Sequence, residues 1–230
     1  MFARVPDVLQ KGERPVESSI VYVVDDDAST RAAISALLRS VDLRVETFSS
    51  TREFLLFQKE DLPSCLILDV RLPNESGLEL QQQLAKIGLT LSIIFISGYG
   101  DVPMTVQAMK AGALDFLTKP FRDQDLLDAV RSGLREHRER LEIERSIAEL
   151  RKRYDSMTTK EKTIMGFVLV GLMNKQIADR MNLSEITIKT HRASAMRKME
   201  SRNLAEFVRI GEILGLESNH ATILRNARSD

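Results

Sequence analysis

The 230-residue sequence has one cysteine, no tryptophan and only 5% aromatic residues. A single thiol allows no disulfide within the chain, so its stability must come from packing. Cys65 lies in an apolar run and reads as a small core residue. No internal repeat or low-complexity segment appears. No apolar run approaches the 18 or so residues of a membrane span, so a cytoplasmic protein with no membrane partner is expected. Residues 1–19 mix Pro6, Gly12 and Pro15 with charges. They lack the apolar centre of a signal peptide and read as a disordered extension. Net charge is absent as well, with 33 basic residues against 33 acidic ones. That balance hides an asymmetry. Residues 20–136 hold 12 basic and 17 acidic side chains, whereas 156–230 hold 12 and 8. The acidic part suggests a metal or phosphate site, and the basic part an anionic partner.

What is present begins with Cys65-Leu66-Ile67-Leu68, four apolar residues without alternation that end in Asp69. Such a run reads as a strand buried on both faces of a parallel sheet. Three more strands end in chemistry-bearing residues. Ile20–Val24 ends in Asp25-Asp26-Asp27, Leu91–Ile96 in Ser97-Gly98, and Ala113–Thr118 in Lys119-Pro120. Helical spacing lies between them, as in Ile34, Leu37, Leu38 and Val41. Alternating strand and helix predict a doubly wound α/β sheet whose right-handed crossovers bring all these strand ends to one edge. An acid pair, a lone Asp, a hydroxyl and a Lys would then meet there. Clustered carboxylates repel one another and suit a hard divalent cation such as Mg²⁺. A carboxylate can also be the nucleophile that forms an aspartyl-phosphate. Metal, Lys and hydroxyl can stabilise charge on a transferring phosphoryl group.

Residues 20–136 resemble the receiver domain of two-component response regulators. The loop Asp69-x-x-x-Pro73-x-x-x-Gly77, the turn Ser97-Gly98-Tyr99-Gly100 and the segment Lys119-Pro120-Phe121 carry the likeness. The resemblance implies a flavodoxin-like fold with five strands and a cis Lys119–Pro120 bond. It makes Asp69 the phosphoacceptor, Lys119 its charge partner, Ser97 the switch hydroxyl and Phe116 the aromatic switch. It also implies that Asp26, Asp69 and the Arg71 carbonyl bind Mg²⁺, with Asp25 acting through water. Asp27 is read instead as a cap for the following helix. Arg71 and Tyr99, both large, would shield the phosphoryl group from water.

From His137 the chain turns charged and helical, and 137–155 read as a helical linker. Its apolar stripe is Ile143, Ile147, Leu150, Tyr154 and Met157, and it fits either a packed helix or a dimer seam. Thr158 and Glu161 form a capping-box pattern that opens a second, all-α domain over 156–216. A short helix Lys175–Met181, a turn at Asn182-Leu183 and a helix Glu185–Met199 capped by Ser184 make a helix-turn-helix. At about 100° per residue, Ile188, His191, Ala195 and Met199 share an inward face of the last helix. Lys189, Thr190, Ala193 and Arg197 share the outward one. Residues 217–230 read as a polar tail.

Gly171-x-x-Asn174-Lys175-Gln176-Ile177-Ala178, with Thr187-Ile188-Lys189-x-His191, is similar to the LuxR-type output domain. The whole chain thus resembles response regulators of the FixJ/NarL class. By that resemblance Lys189, Thr190 and Ala193 would face base edges, and Lys175, Arg192 and Arg197 would lie near phosphates. The implied partners are a sensor histidine kinase, double-stranded promoter DNA, RNA polymerase and, on phosphorylation, a second copy of the chain. Phosphatases of the haloacid dehalogenase type also use a strand-end Asp, a hydroxyl, a Lys and Mg²⁺. They need a second carboxylate two residues after the nucleophile, and that position is Arg71. A non-enzymatic regulator is therefore expected.

Overall fold

The computed structural model describes residues 19–73, 75–98 and 102–216. The expected extension up to residue 18, the tail 217–230, and Asn74, Tyr99, Gly100 and Asp101 lie outside the described residues. The chain divides into two compact units that meet in sequence between Glu142 and Ile143.

The first unit alternates strand and helix as expected. In order it holds β1 (Ile20–Val24), α1 (Ala28–Arg39), β2 (Arg44–Phe48), α2 (Thr51–Leu56) and β3 (Ser64–Asp69). A two-residue hairpin of β4 (Arg71–Leu72) and β5 (Glu75–Ser76) follows, where the sequence suggests only a loop. Then come α3 (Gly77–Lys86), β6 (Ser92–Ser97), α4 (Val102–Lys110), β7 (Asp115–Thr118) and the start of α5 (Asp123–Asp155). Five strands pair in parallel in the order β2-β1-β3-β6-β7. The pleat sends Tyr22, Leu66, Leu68 and Phe95 into one core layer and Val21, Val23, Ile67, Ile94 and Ile96 into the other. Both layers are covered by helices, which is why the central strands β1, β3 and β6 carry unbroken apolar runs. β2 is different: it is an edge strand, and its Arg44 and Glu46 leave only Val45 and Phe48 buried.

The second unit takes the end of α5 and adds α6 (Thr159–Leu169), α7 (Asn174–Met181), α8 (Glu185–Lys198) and α9 (Leu204–Ile213). Leu150 and Met157 of the apolar stripe are buried in this unit's core, and Ile147 and Tyr154 pack on it. From Ile147 onward the stripe thus packs into the second unit's own core, while Ile143 is half-buried outside it. The capping box forms as expected, with Glu161 Oε2 accepting from Thr158 N at 2.7 Å. The same carboxylate accepts from Lys198 Nζ at 2.7 Å, tying the start of α6 to the end of α8. Asn182 ends α7 in the left-handed region (φ 52°) and Ser184 caps α8. That is the tight turn of a helix-turn-helix.

His137 opens the charged stretch of α5 yet is only 6% exposed. Its Nδ1 accepts a hydrogen bond from Ser64 N at 2.8 Å, joining α5 to the first residue of β3. Burial, aided by the Arg140 charge, pushes its imidazole down to about 4; Asp61 and a backbone bond to Thr90 oppose this without reversing it. Protonation is easier in the unfolded chain, where a His titrates near about 6.5. The stability gained by keeping His137 neutral is present above about pH 6.5 and is lost as pH falls towards about 4. Urea unfolding should show it. Between about pH 7.5 and about pH 5, wild type should lose about 1–3 kcal/mol more than His137→Gln. Parallel profiles for the two proteins would contradict this account.

Candidate metal centre and nucleic-acid interface

Parallel pairing sets the acidic residues at one edge of the sheet. Asp25 follows β1 directly, Asp69 ends β3 opposite Ile96, and Ser97 ends β6 opposite Thr118. Lys119 follows β7, and its backbone N–H donates to Ser97 O at 2.8 Å. The Lys119–Pro120 bond is cis. Gly77 lies where a Cβ would meet the Asp69 carbonyl oxygen at 2.4 Å, so only glycine lets the loop after Asp69 fold this closely.

Lys119 Nζ stands between two carboxylates, 2.7 Å from Asp25 Oδ2 and 2.6 Å from Asp69 Oδ2. The remaining oxygens are also used. Asp25 Oδ1 accepts from Asp27 N at 2.8 Å, and Asp69 Oδ1 from Arg71 N at 2.9 Å. Burial raises the Asp25 carboxyl above its ordinary value, and the bonds from Lys119 and Asp27 only partly offset that. Burial alone would lower Lys119, but its bonds to Asp25 and Asp69 outweigh it and hold the ammonium above its usual range. Asp26 is exposed, and Asp25, Asp26 and Asp69 each offer an oxygen within 4.8 Å of the others. This is a hard-oxygen donor set of the kind Mg²⁺ takes.

Asp27 caps α1 as expected, accepting from Ser29 N and Thr30 N at 3.1 Å and from Thr30 Oγ1 at 2.6 Å. Phe116 is half-buried against the sheet's core, its ring centroid 6.3 Å from that of Phe95. The ring named as the aromatic switch is thus already partly inside in this structure. Arg71 is exposed at the mouth of the site. Sequence reasoning missed Arg31. Its Nη1 donates to the backbone oxygens of both Asp25 (2.6 Å) and Asp26 (2.9 Å), pinning the turn that carries the acid pair. An arginine on the first turns of a helix has no periodicity to mark it.

In the second unit, α8 buries Ile188 and Ala195, and its C-cap Met199 is buried with them. His191, expected inside with them, is half-buried at the edge of that core. Lys189, Thr190, Ala193 and Arg197 are exposed, as is Lys175 in the first turn of α7. Arg192 is half-buried and donates to Asn174 Oδ1 at 2.9 Å, which fixes it between α7 and α8. Lys189 pairs with Glu185 at 3.1 Å along the same helix. Ile186 also stands exposed on α8, a residue the sequence reading passed over.

Comparison with known proteins agrees with both units. Residues 21–131 match the family described as the response regulator receiver domain, and residues 155–210 match the bacterial regulatory proteins of the luxR family. The chain is similar to nodulation protein W of Bradyrhizobium diazoefficiens, 49% identical over 202 residues covering 88% of this chain and 89% of that one. It is also similar to the transcriptional regulatory protein FixJ of Azorhizobium caulinodans, 38% identical over 200 residues covering 87% and 95%. Among solved structures, the response regulator StyR aligns with a TM-score of 0.76 at 44% identity, covering 85% of this chain and 98% of that one. These families are regulators, which removes the phosphatase alternative. The chain belongs to the FixJ/NarL class of two-component response regulators, a receiver domain joined to a LuxR-type helix-turn-helix domain.

Proposed function

We propose that this regulator accepts a phosphoryl group on Asp69 from a sensor histidine kinase in the cytoplasm, pairs with a second copy, and binds double-stranded promoter DNA. RNA polymerase is the further partner met there. The observation that carries this reading is Lys119 Nζ held between Asp25 and Asp69 at the carboxyl edge of the sheet. Asp26, Asp69 and the Arg71 carbonyl would hold Mg²⁺, with Asp25 reaching it through water. When bound, the ion would offset charge on the incoming phosphoryl oxygens.

An Asp69 oxygen attacks phosphorus, and the new O–P bond replaces the P–N bond to the kinase's histidine, whose imidazole leaves with the electron pair. Lys119 balances the added charge. The Ser97 hydroxyl, at the end of the neighbouring strand, then donates to a phosphoryl oxygen, a charge-assisted bond that contributes about 1.5–3 kcal/mol. Phe116 completes its burial. Because the ring starts half-buried, this adds about 1 kcal/mol, less than a ring entering from water would. Together the two terms reach the few kcal/mol that separate such states. Val102, Val106 and Met109 stand exposed on α4 and supply an apolar surface for pairing, at 76%, 44% and 43% exposure. Paired chains would present their α8 helices to half-sites about one DNA turn apart.

Two sets of variants test the receiver. With a small-molecule phosphodonor and Mg²⁺, wild type should gain one phosphoryl group by intact mass and Asp69→Asn none. Ser97→Ala should gain it yet lose most of the phosphodonor-dependent dimerisation seen by sedimentation. An Asp69→Asn protein phosphorylated like wild type would end the assignment.

Arg31 is a positioning residue in this scheme, and the sign of its effect is diagnostic. If its cation mattered only by repelling Mg²⁺, Arg31→Ala would bind the ion more tightly. Because it pins the Asp25 and Asp26 backbone, Arg31→Ala should instead weaken Mg²⁺ binding by about tenfold in calorimetry. Arg31→Lys should recover part of it. Unchanged or tighter binding in Arg31→Ala would refute the positioning role.

A further inference from the structure

An isoleucine in the first turn of α8 is 76% exposed, and no part of the second unit's core needs it. Ile188, Ala195 and Met199 already fill the inward face of that helix. Positions 186, 190 and 193 fall within an arc of about 60° on an α-helix, and position 197 continues the same line. That line reads Ile186, Thr190, Ala193, Arg197, with Lys189 beside it. Thr190 does not offer its proton outward: Thr190 Oγ1 donates to Ile186 O at 3.0 Å. Its proton is committed to its own helix, so toward a ligand it presents an acceptor oxygen and an apolar methyl.

We propose that Ile186, Thr190 and Ala193 form a methyl-bearing stripe that reads thymine C5-methyl groups in the major groove of double-stranded DNA. This rests on the DNA-binding reading above and specifies what that face reads. The thymine methyl is the apolar group that base pairs display in the major groove. The stripe itself has no Asn, Gln, Arg or Lys before Arg197, so its own side chains meet base edges with methyl groups, while Lys189 beside it is the neighbour able to donate to a guanine edge. Exposed Lys175, Lys189 and Arg197, with Arg192 anchored by Asn174, place cations around the stripe, which suits a polyanion rather than an apolar protein surface. Glu185 lies on the same first turn and pairs with Lys189, so bound DNA would take over that lysine from it. Ile186 thereby joins Lys189, Thr190 and Ala193 in setting sequence preference.

The test uses the full chain with Mg²⁺ and a small-molecule phosphodonor. Binding sites are selected from a random duplex pool, and each thymine of the enriched half-site is then replaced by uracil. Uracil keeps every hydrogen-bonding group and loses only the methyl. The expected result is a loss of about fourfold in affinity at each of two or three adjacent positions, the effect of one methyl left unburied. Ile186→Ala, an exposed change that should leave the fold intact by circular dichroism, should bind thymine and uracil equally at one of those positions. Enriched sites without a shared thymine, or equal binding of thymine and uracil by wild type, would overturn this inference and leave the DNA-binding reading standing. Failure to enrich any site would overturn both.

Discussion

Asp25 is fully buried, and a buried carboxylate costs several kcal/mol unless it is paired and hydrogen-bonded. Lys119 supplies the charge and the Asp27 backbone a second bond, so the geometry of the first unit can be traced back to this contact. Lys119 must reach Asp25 across Asp69. That requires β1, β3, β6 and β7 to run parallel and to end on one edge, with Lys119 N fastened to Ser97 O. It also requires the chain to fold back tightly after Asp69, which Gly77 allows by lacking a Cβ. The same ammonium that keeps the acid pocket stable is the group in place to balance a phosphoryl charge on Asp69. In the proposed function, stability and signalling would therefore draw on one ion pair, and a change in the charge of Asp69 would shift the balance at the ends of three strands at once.

The second unit separates its duties more cleanly. Glu161 and Lys198 lock the ends of α6 and α8, and Ile188, Ala195 and Met199 hold α8 to the core. Among the described residues, Ile186, Lys189 and Thr190 on the outward face of α8 are exposed and bond within their own helix. An exposed Ile186 there gains nothing for folding and costs hydration. Its place there is intelligible if something apolar meets it on binding.

Much of this was legible in the sequence because the physics is local. Strands buried on both faces declare themselves by unbroken apolar runs, and the acids, hydroxyl and lysine that end them are visible once parallel order is inferred. The capping box of Thr158 and Glu161 and the Asp27 cap are likewise set by neighbours three residues apart or fewer. What was hidden is non-local. β2 alternates and carries Arg44 and Glu46, so it lacks the signature of its buried neighbours, and the β4–β5 hairpin is too short to show one. His137 looks like the start of a solvated stretch, and only the packing of α5 on β3 reveals it as a buried neutral imidazole. Arg31 acts on backbone oxygens, which no side-chain pattern encodes. Ile186 sits one residue after the start of α8, and its exposure follows only from seeing which face the core takes.

The central claim is that charge placed on Asp69 gates pairing, and that pairing gates DNA binding. The most direct test compares one selected half-site with two half-sites one helical turn apart, using wild-type protein with and without a small-molecule phosphodonor. Phosphorylation should raise affinity for the paired half-sites and leave the single half-site unchanged, since in the proposed function each α8 helix would contact its own half-site either way. Equal affinity for the paired sites in both conditions would contradict the account, as would an equal rise on the single half-site.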